Sequence, residues 1–369
     1  MRISTRSLCG AATAAGAAFA LAACGGVAGA GGGDAGTASW QGANYMPEQN
    51  SFSRAFVGVT EFLAEEGVAD TEVFHQESLL AAADILPGIA DGRANVGIIN
   101  PFYYPGELPL TNVASVPFMS QDPASHTDAM NEMYRSSEAL QAEYDKAGVH
   151  LVSFVPVATT IVGSSSPIET VEDFDGKQIR AVGLLSDTIS QIGANPVSIS
   201  AGEVYQSVET GVIDGYTSYP FDIAIQNSFH EVAPHVSDPG FGVYSVGAIL
   251  MNGSDWDGLT DEQRSAMEAQ VDTFAADASG FVASDLEESC TAYLESGSTP
   301  VEFSEEEREK LRDQVGDSQI ESWKSDAVAA GVEATDADAF LEELQSQIAE
   351  REGSSDTDLS IRPCLAQAG

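Results

Sequence analysis

The sequence predicts an α/β fold arranged as two lobes. Strand-like and helix-like segments alternate through residues 39–99, and a second alternating run occupies 151–220. An apolar, strand-like return at Val243–Met251 then leads into one long helical stretch from Thr260. Beyond the N-terminal signal and tether described below, roughly 330 residues remain, enough for two domains of ordinary size.

Each element has its own local warrant. Ser39–Asn44 reads as the first strand. Asn50–Glu66 carries Phe52, Phe56, Val59, Phe62 and Leu63 at helical spacing. Thr71–Phe74 is a short strand, Leu79–Asp91 a second helix broken by Gly92, and Val96–Ile99 a buried strand. This order predicts parallel pairing. Leu151–Pro156, Thr160–Gly163 and Gln178–Val182 read as strands, followed by a helix at Leu185–Ile192 and a short strand at Pro196–Ile199. A helix over Gly202–Thr210 stops at Gly211, and Val212–Gly215 leads into a strand ending near Tyr219-Pro220. Thr260-Asp261-Glu262-Gln263 supplies an N-cap and early acid for a helix reaching about Ser296. Ser304-Glu305-Glu306-Glu307 opens another, and the tail to Glu352 is helical and polar.

The N-terminus reads as an export signal. Arg2 and Arg6 precede the Ala-rich run Ala11–Ala23, too short for the ~20 apolar residues of a bilayer span. Leu21-Ala22-Ala23-Cys24 resembles the lipobox of bacterial lipoproteins, which implies acylation of Cys24. Residues 24–38, mostly Gly and Ala, read as a flexible tether. The expected organisation is therefore a signal over 1–23, a tether over 24–38, lobe I over 39–155 with a return at about 247–285, and lobe II over 156–246 with the C-terminal helices of 286–369.

Two further cysteines, Cys290 and Cys364, form an even pair in an oxidising compartment, and a disulfide between them is expected. The formal net charge is −42, spread along the body. Such a surface repels nucleic acid and anionic lipid headgroups, so neither is an expected partner. A site for an acidic solute must supply its own positive charge in this field, which draws attention to each Arg.

Several passages in order resemble the substrate-binding proteins of tripartite ATP-independent periplasmic (TRAP) transporters, of the dicarboxylate-binding type. Asp175-Gly176-Lys177-Gln178-Ile179-Arg180 is similar to the family's Gly-x-Lys-x-Arg segment. Gly193-Ala194-Asn195-Pro196-Val197, then Glu203-Val204-Tyr205-Gln206, then Thr210-Gly211-Val212-Ile213-Asp214-Gly215 resemble its central signature. Leu86–Asn100 with Val116-Pro117-Phe118, and Met251-Asn252 with Trp256, complete a likeness spanning about 40–310. The resemblance implies a two-lobed periplasmic-binding-protein-like fold, with a ligand cleft between the lobes and a long helix spanning them. It also implies hinge closure around ligand and delivery to membrane subunits.

By the same resemblance Arg180 clamps the ligand carboxylate. The chemistry suits it: guanidinium is a planar fork matched to a carboxylate and stays charged when desolvated. Asn44, Asn100 and Ser218 occupy positions where the family touches ligand. Tyr219, Tyr103 and Phe118 are candidate walls, and Gln76 and Glu77 follow another strand. Two departures leave the solute open. No Arg lies between Arg135 and Arg180, where many relatives carry a second one, and Ala201 replaces a bulky residue. A monocarboxylate or a larger solute fits as well as a C4 dicarboxylate.

Catalytic motifs are missing. None of the five His sits in a His-Glu-x-x-His setting, Ser164-Ser165-Ser166 reads as a turn, and no cofactor-binding glycine loop occurs. The expectation is a monomeric, lipid-anchored, extracytoplasmic binding protein for a small organic acid, not an enzyme, with no cofactor and no metal. The alternatives are a binding protein of another transporter or a signalling receptor, and a secreted hydrolase.

Overall fold

The computed structural model describes residues 37–353 and 357–368. Cys24 and the tether to residue 36 lie outside them. The chain begins with β1 (Ala38–Asn44), α1 (Ser51–Glu65), β2 (Ala69–Phe74), α2 (Ile85–Ala90) and β3 (Val96–Ile99). Helix α1 starts where Asn50 accepts from the Ser53 N–H, and it buries Phe52, Phe56, Val59 and Leu63. The second helix is shorter than its sequence pattern suggests. A single 3₁₀ turn at Ala82–Asp84 precedes it, so regular α geometry starts only at Ile85.

Residues 123–146, for which sequence patterning gave no element, form α3 (Pro123–Ser136) and α4 (Glu138–Lys146). Asp122 caps α3 with Pro123 at its first turn, and Ser137 caps α4. Then come β4 (Val149–Val155), β5 (Val162–Ser164), β6 (Gln178–Arg180), α5 (Leu184–Gln191), β7 (Asn195–Val197), α6 (Val204–Glu209) and β8 (Gly215–Tyr216). Next are α7 (Phe221–Gln226), β9 (His235–Ser237), β10 (Gly247–Asn252), α8 (Gly253–Asp257) and α9 (Asp261–Glu295). The chain closes with β11 (Thr299–Val301), α10 (Glu305–Val315), α11 (Ser318–Ala329), α12 (Ala334–Arg351) and α13 (Arg362–Ala368).

Two sheets result, in the orders β2-β1-β3-β10-β4 and β11-β9-β5-β8-β6-β7. The expected parallel pairing holds for β2-β1-β3 and for β8-β6-β7, but β10 runs antiparallel to both β3 and β4, and β5 antiparallel to β8 and β9. The chain returns to the first sheet from the opposite direction. Strand β8 is only two residues long, and the Thr217 N–H just beyond it still donates to the Arg180 carbonyl of β6.

Helix α9, capped by the reciprocal bonds of Thr260 and Gln263, packs on α1 and β4 of the first half and on α7 of the second. It is the long element shared by both lobes. Cys290 on α9 is disulfide-bonded to Cys364 on α13, as the cysteine pairing predicts. One placement is corrected. The C-terminal helices do not all join lobe II: α10 packs on α5, but α12 lies along α3. Phe340, Leu341, Leu344 and Ile348 of α12 share an apolar cluster with Met130, Met133 and Tyr144, which fixes the helix there. Helix α11 links the halves, with Trp323 Nε1 donating to the Pro109 carbonyl and Ser322 Oγ to Asp187 Oδ2.

Candidate ligand-binding site

The C-terminal ends of the parallel strands converge between the two halves, the place where open α/β sheets bind ligands. Tyr45 and Met46 follow β1, Asn100 to Tyr103 follow β3, Arg180 ends β6, and Ser218 and Tyr219 follow β8. They surround a small cavity of about 30 Å³, completed by Tyr244 from the segment joining β9 to β10. A wider recess of about 480 Å³, open to solvent, shares Tyr45, Met46, Tyr103, Ala201 and Tyr219 with it.

Arg180 is 2 % exposed and lies on the cavity wall. Its Nη1 donates to the carbonyls of Thr217 (3.2 Å) and Ser218 (3.3 Å), and Nε to that of Ile199 (3.4 Å). Its Cζ stands 4.7 Å above the centre of the Tyr219 ring, a cation–π contact. Arg54, Arg135, Arg264, Arg308, Arg312 and Arg362 each pair with a carboxylate. Among the described residues no carboxylate pairs with Arg180. Carbonyl dipoles and a ring face orient the guanidinium, and no described carboxylate compensates its charge.

Nearby phenols stay protonated. Burial raises the pKa of Tyr45 well above its ordinary value and that of Tyr219 to about 12. Burial also raises Tyr103, against the opposing charge of Arg180. These hydroxyls are therefore neutral donors beside the guanidinium. Among the described residues the Tyr219 hydroxyl has no hydrogen-bond partner.

Of the sequence candidates, Arg180, Asn100, Ser218, Tyr219 and Tyr103 line the cavity, while Gln76 and Glu77 line the outer recess. Asn44 does not line it. Its Nδ2 donates to Ser53 Oγ (2.7 Å) and meets His75 Nδ1 (2.9 Å), and its Oδ1 accepts from Met46 N–H, so the amide is consumed inside the fold. Phe118 is also outside. Its ring packs against Phe241, and its N–H donates to the Phe241 carbonyl.

Gln76, Glu77, Phe118 and Ser218 all adopt left-handed backbone, with φ of 54°, 58°, 67° and 60°. Each such non-glycine residue costs on the order of 1–3 kcal/mol, a strain that gathers at sites needing a fixed backbone. At Ser218 the surroundings hold it: Oγ accepts from Val182 N–H (3.1 Å) and donates back to the Val182 carbonyl (3.3 Å). The crossing between halves has its own requirement. Gly242 has φ 75°, and a Cβ there would lie 2.2 Å from the Ser120 carbonyl oxygen.

Tyr45, Phe102 and Tyr244 were missed from sequence. A detectable signal existed for the first two, which directly follow predicted strands, but Tyr244 arrives from a segment whose path only the fold reveals. A second large recess, lined by Tyr134, His150 and Trp256, lies between β4 and α9; its Arg135 is already paired with Asp272 and Glu132. No group of three or more His, Cys, Asp and Glu side chains among the described residues is placed to hold a metal.

Residues 47–326 match the model of the bacterial extracellular solute-binding protein family 7. The chain belongs to this family. It is 26 % identical over 230 residues to the ectoine-binding periplasmic protein TeaA of Halomonas elongata, covering 61 % of this chain and 65 % of that protein. It is 27 % identical over 290 residues to the C4-dicarboxylate-binding periplasmic protein DctP of Rhodobacter capsulatus, covering 74 % and 84 %. A TRAP periplasmic solute-binding protein structure from Desulfovibrio salexigens DSM2638 shares the fold, with a TM-score of 0.74 at 22 % identity, covering 87 % of this chain and 98 % of that one. The two-lobed α/β architecture is thus the one seen in this family.

Proposed function

We propose that this chain is the solute-binding component of a TRAP-type secondary transporter and captures a small organic anion through the carboxylate clamp of Arg180. The buried guanidinium of Arg180, free of any described carboxylate and aimed at a cleft between two lobes, carries the reading. Family membership and relatives that bind ectoine and C4 dicarboxylates support it. Solute enters the open cleft, its carboxylate takes the free charge, and closure of the lobes excludes water. Ligand then binds the closed form better than the open one, and that form docks on integral membrane subunits. Cys24 acylation would hold the protein at the outer face of the membrane on the tether of 24–38.

Calorimetric titration of the purified protein with small carboxylates tests this, with Arg180→Ala beside the wild type. Loss of about 2–5 kcal/mol of binding in the variant is expected. Undiminished binding would move the site elsewhere. Detergent-phase partitioning that disappears in Cys24→Ser checks the anchor.

A further inference from the structure

Building on the carboxylate clamp, we infer that the solute is an ω-amino acid, a short chain with a carboxylate at one end and an ammonium at the other, as in γ-aminobutyrate, whose positive end is held by Glu77. Two joined spaces carry opposite charges. Among the described residues, the inner cavity of about 30 Å³ is lined by one cation, Arg180, and by no carboxylate. It has room for a head group of carboxylate or water size. The outer recess of about 480 Å³ is lined by one carboxylate, Glu77, and among the described residues by no Lys, Arg or His. It has room for the body of a small solute. Tyr45, Met46, Tyr103, Ala201 and Tyr219 line both spaces, so the two are contiguous.

Glu77 is held in place by its own loop. Its N–H donates to the Asn44 carbonyl at the end of β1 (3.3 Å), its backbone is left-handed with φ 58°, and its Oε1 accepts the Ala82 N–H (2.9 Å). Among the described residues no cation pairs with it. The Tyr103 hydroxyl feels both charges: Arg180 lowers its pKa and Glu77 raises it. The guanidinium and the carboxylate therefore flank one phenol, yet each lines a different space. That separation selects the solute. An α-amino acid carries its ammonium one carbon from the carboxylate, which sets it beside the guanidinium. A dicarboxylate sets its second anion beside Glu77, a like-charge contact. An ω-amino acid places its carboxylate on Arg180 and its ammonium in the recess, past phenol rings whose faces attract a cation. The net charge of −42 favours the same orientation, with the positive end outward.

The test is titration calorimetry on the full chain with γ-aminobutyrate, δ-aminovalerate and ε-aminocaproate, each beside its des-amino acid, and with glutarate, α-aminobutyrate and ectoine. At least one ω-amino acid is expected to bind about fivefold or more tightly than its des-amino partner and than glutarate, α-aminobutyrate or ectoine. Glu77→Gln, which keeps an oxygen for the Ala82 N–H, should lower ω-amino acid affinity about fivefold while leaving the des-amino acids unmoved. Tightest Arg180-dependent binding of a des-amino acid, glutarate, α-aminobutyrate or ectoine overturns the ω-amino assignment and leaves the clamp standing. An ω-amino advantage that survives Glu77→Gln overturns the role of Glu77. Binding of none of these acids, or binding undiminished in Arg180→Ala, overturns the clamp itself. The wild-type ranking decides the solute class even if a variant fails to fold.

Discussion

The Ser51 hydroxyl donates to Asp222 Oδ2 at 3.3 Å, joining the first turn of α1 in one half to the first turn of α7 in the other. The Ser51 N–H donates at 2.8 Å to Asp285 of α9, whose other oxygen is held by Arg54. Two carboxylates therefore meet at Ser51, and Arg54 pairs with one of them, Asp285.

Asp222 should make this junction sensitive to pH. Burial first, and then the charge of Asp285, push its pKa up from 3.8 to about 7, and its Oδ1 has no side-chain partner among the described residues. A carboxyl with a folded pKa above its unfolded one binds its proton more tightly when folded. Its contribution is full below about pH 3.8 and is lost as pH rises through about 7. Asp222→Asn should therefore raise stability at pH 8 by on the order of 2 kcal/mol and change little at pH 4. Urea titrations at both values check it, and an equal effect at the two would refute the account.

His126 should act in the opposite direction. It is fully buried on α3, neither ring nitrogen has a partner among the described residues, and burial lowers its pKa to about 4 despite the opposing charge of Asp122. A base depressed on folding leaves stability intact above its unfolded pKa of ~6.5 and removes it as pH falls toward the folded value. Between pH 7 and 4.5 the wild type should lose about 2 kcal/mol more than His126→Phe. Parallel losses in the two proteins would mean that His126 is not the acid-labile group.

The disulfide should matter to the C-terminal end. It closes a segment separated by 74 residues and ties α13 to α9. Replacing Cys290 and Cys364 by Ser should cost about 4–5 kcal/mol on the chain-entropy model. Melting with and without reductant measures this, and a wild type indifferent to reductant would show that the bridge adds no stability.

Ser218 offers a test of backbone strain beside the clamp. At φ 60° a β-branched residue is strained most and glycine least. Ser218→Val should be less stable than Ser218→Gly by about 1–2 kcal/mol, although both lose the Val182 bonds. Equal melting temperatures would argue that the surroundings relax.

Much of this was written locally. Thr260 and Gln263 cap a helix whose start the sequence shows, and Phe52, Phe56, Val59 and Leu63 mark the buried face of α1. Arg180 stood out because it ends a strand within a motif. The misses were positional. Asn44 follows β1 as a site residue would, but it turns inward to Ser53 and His75, and its neighbour Tyr45 takes the cavity. Likewise α12 carries an apolar face that suits either lobe, and contact with α3 decides between them.

By itself the sequence determined the alternation of strands and helices, their caps, the cysteine pair and the family motifs, because each depends on neighbours a few residues apart. Tertiary structure alone decided that β10 enters the first sheet antiparallel, that α12 rests on α3, and that rings from distant segments close around a guanidinium with no described carboxylate partner. Those outcomes rest on burial and charge compensation between groups far apart in the chain, which local patterning does not encode.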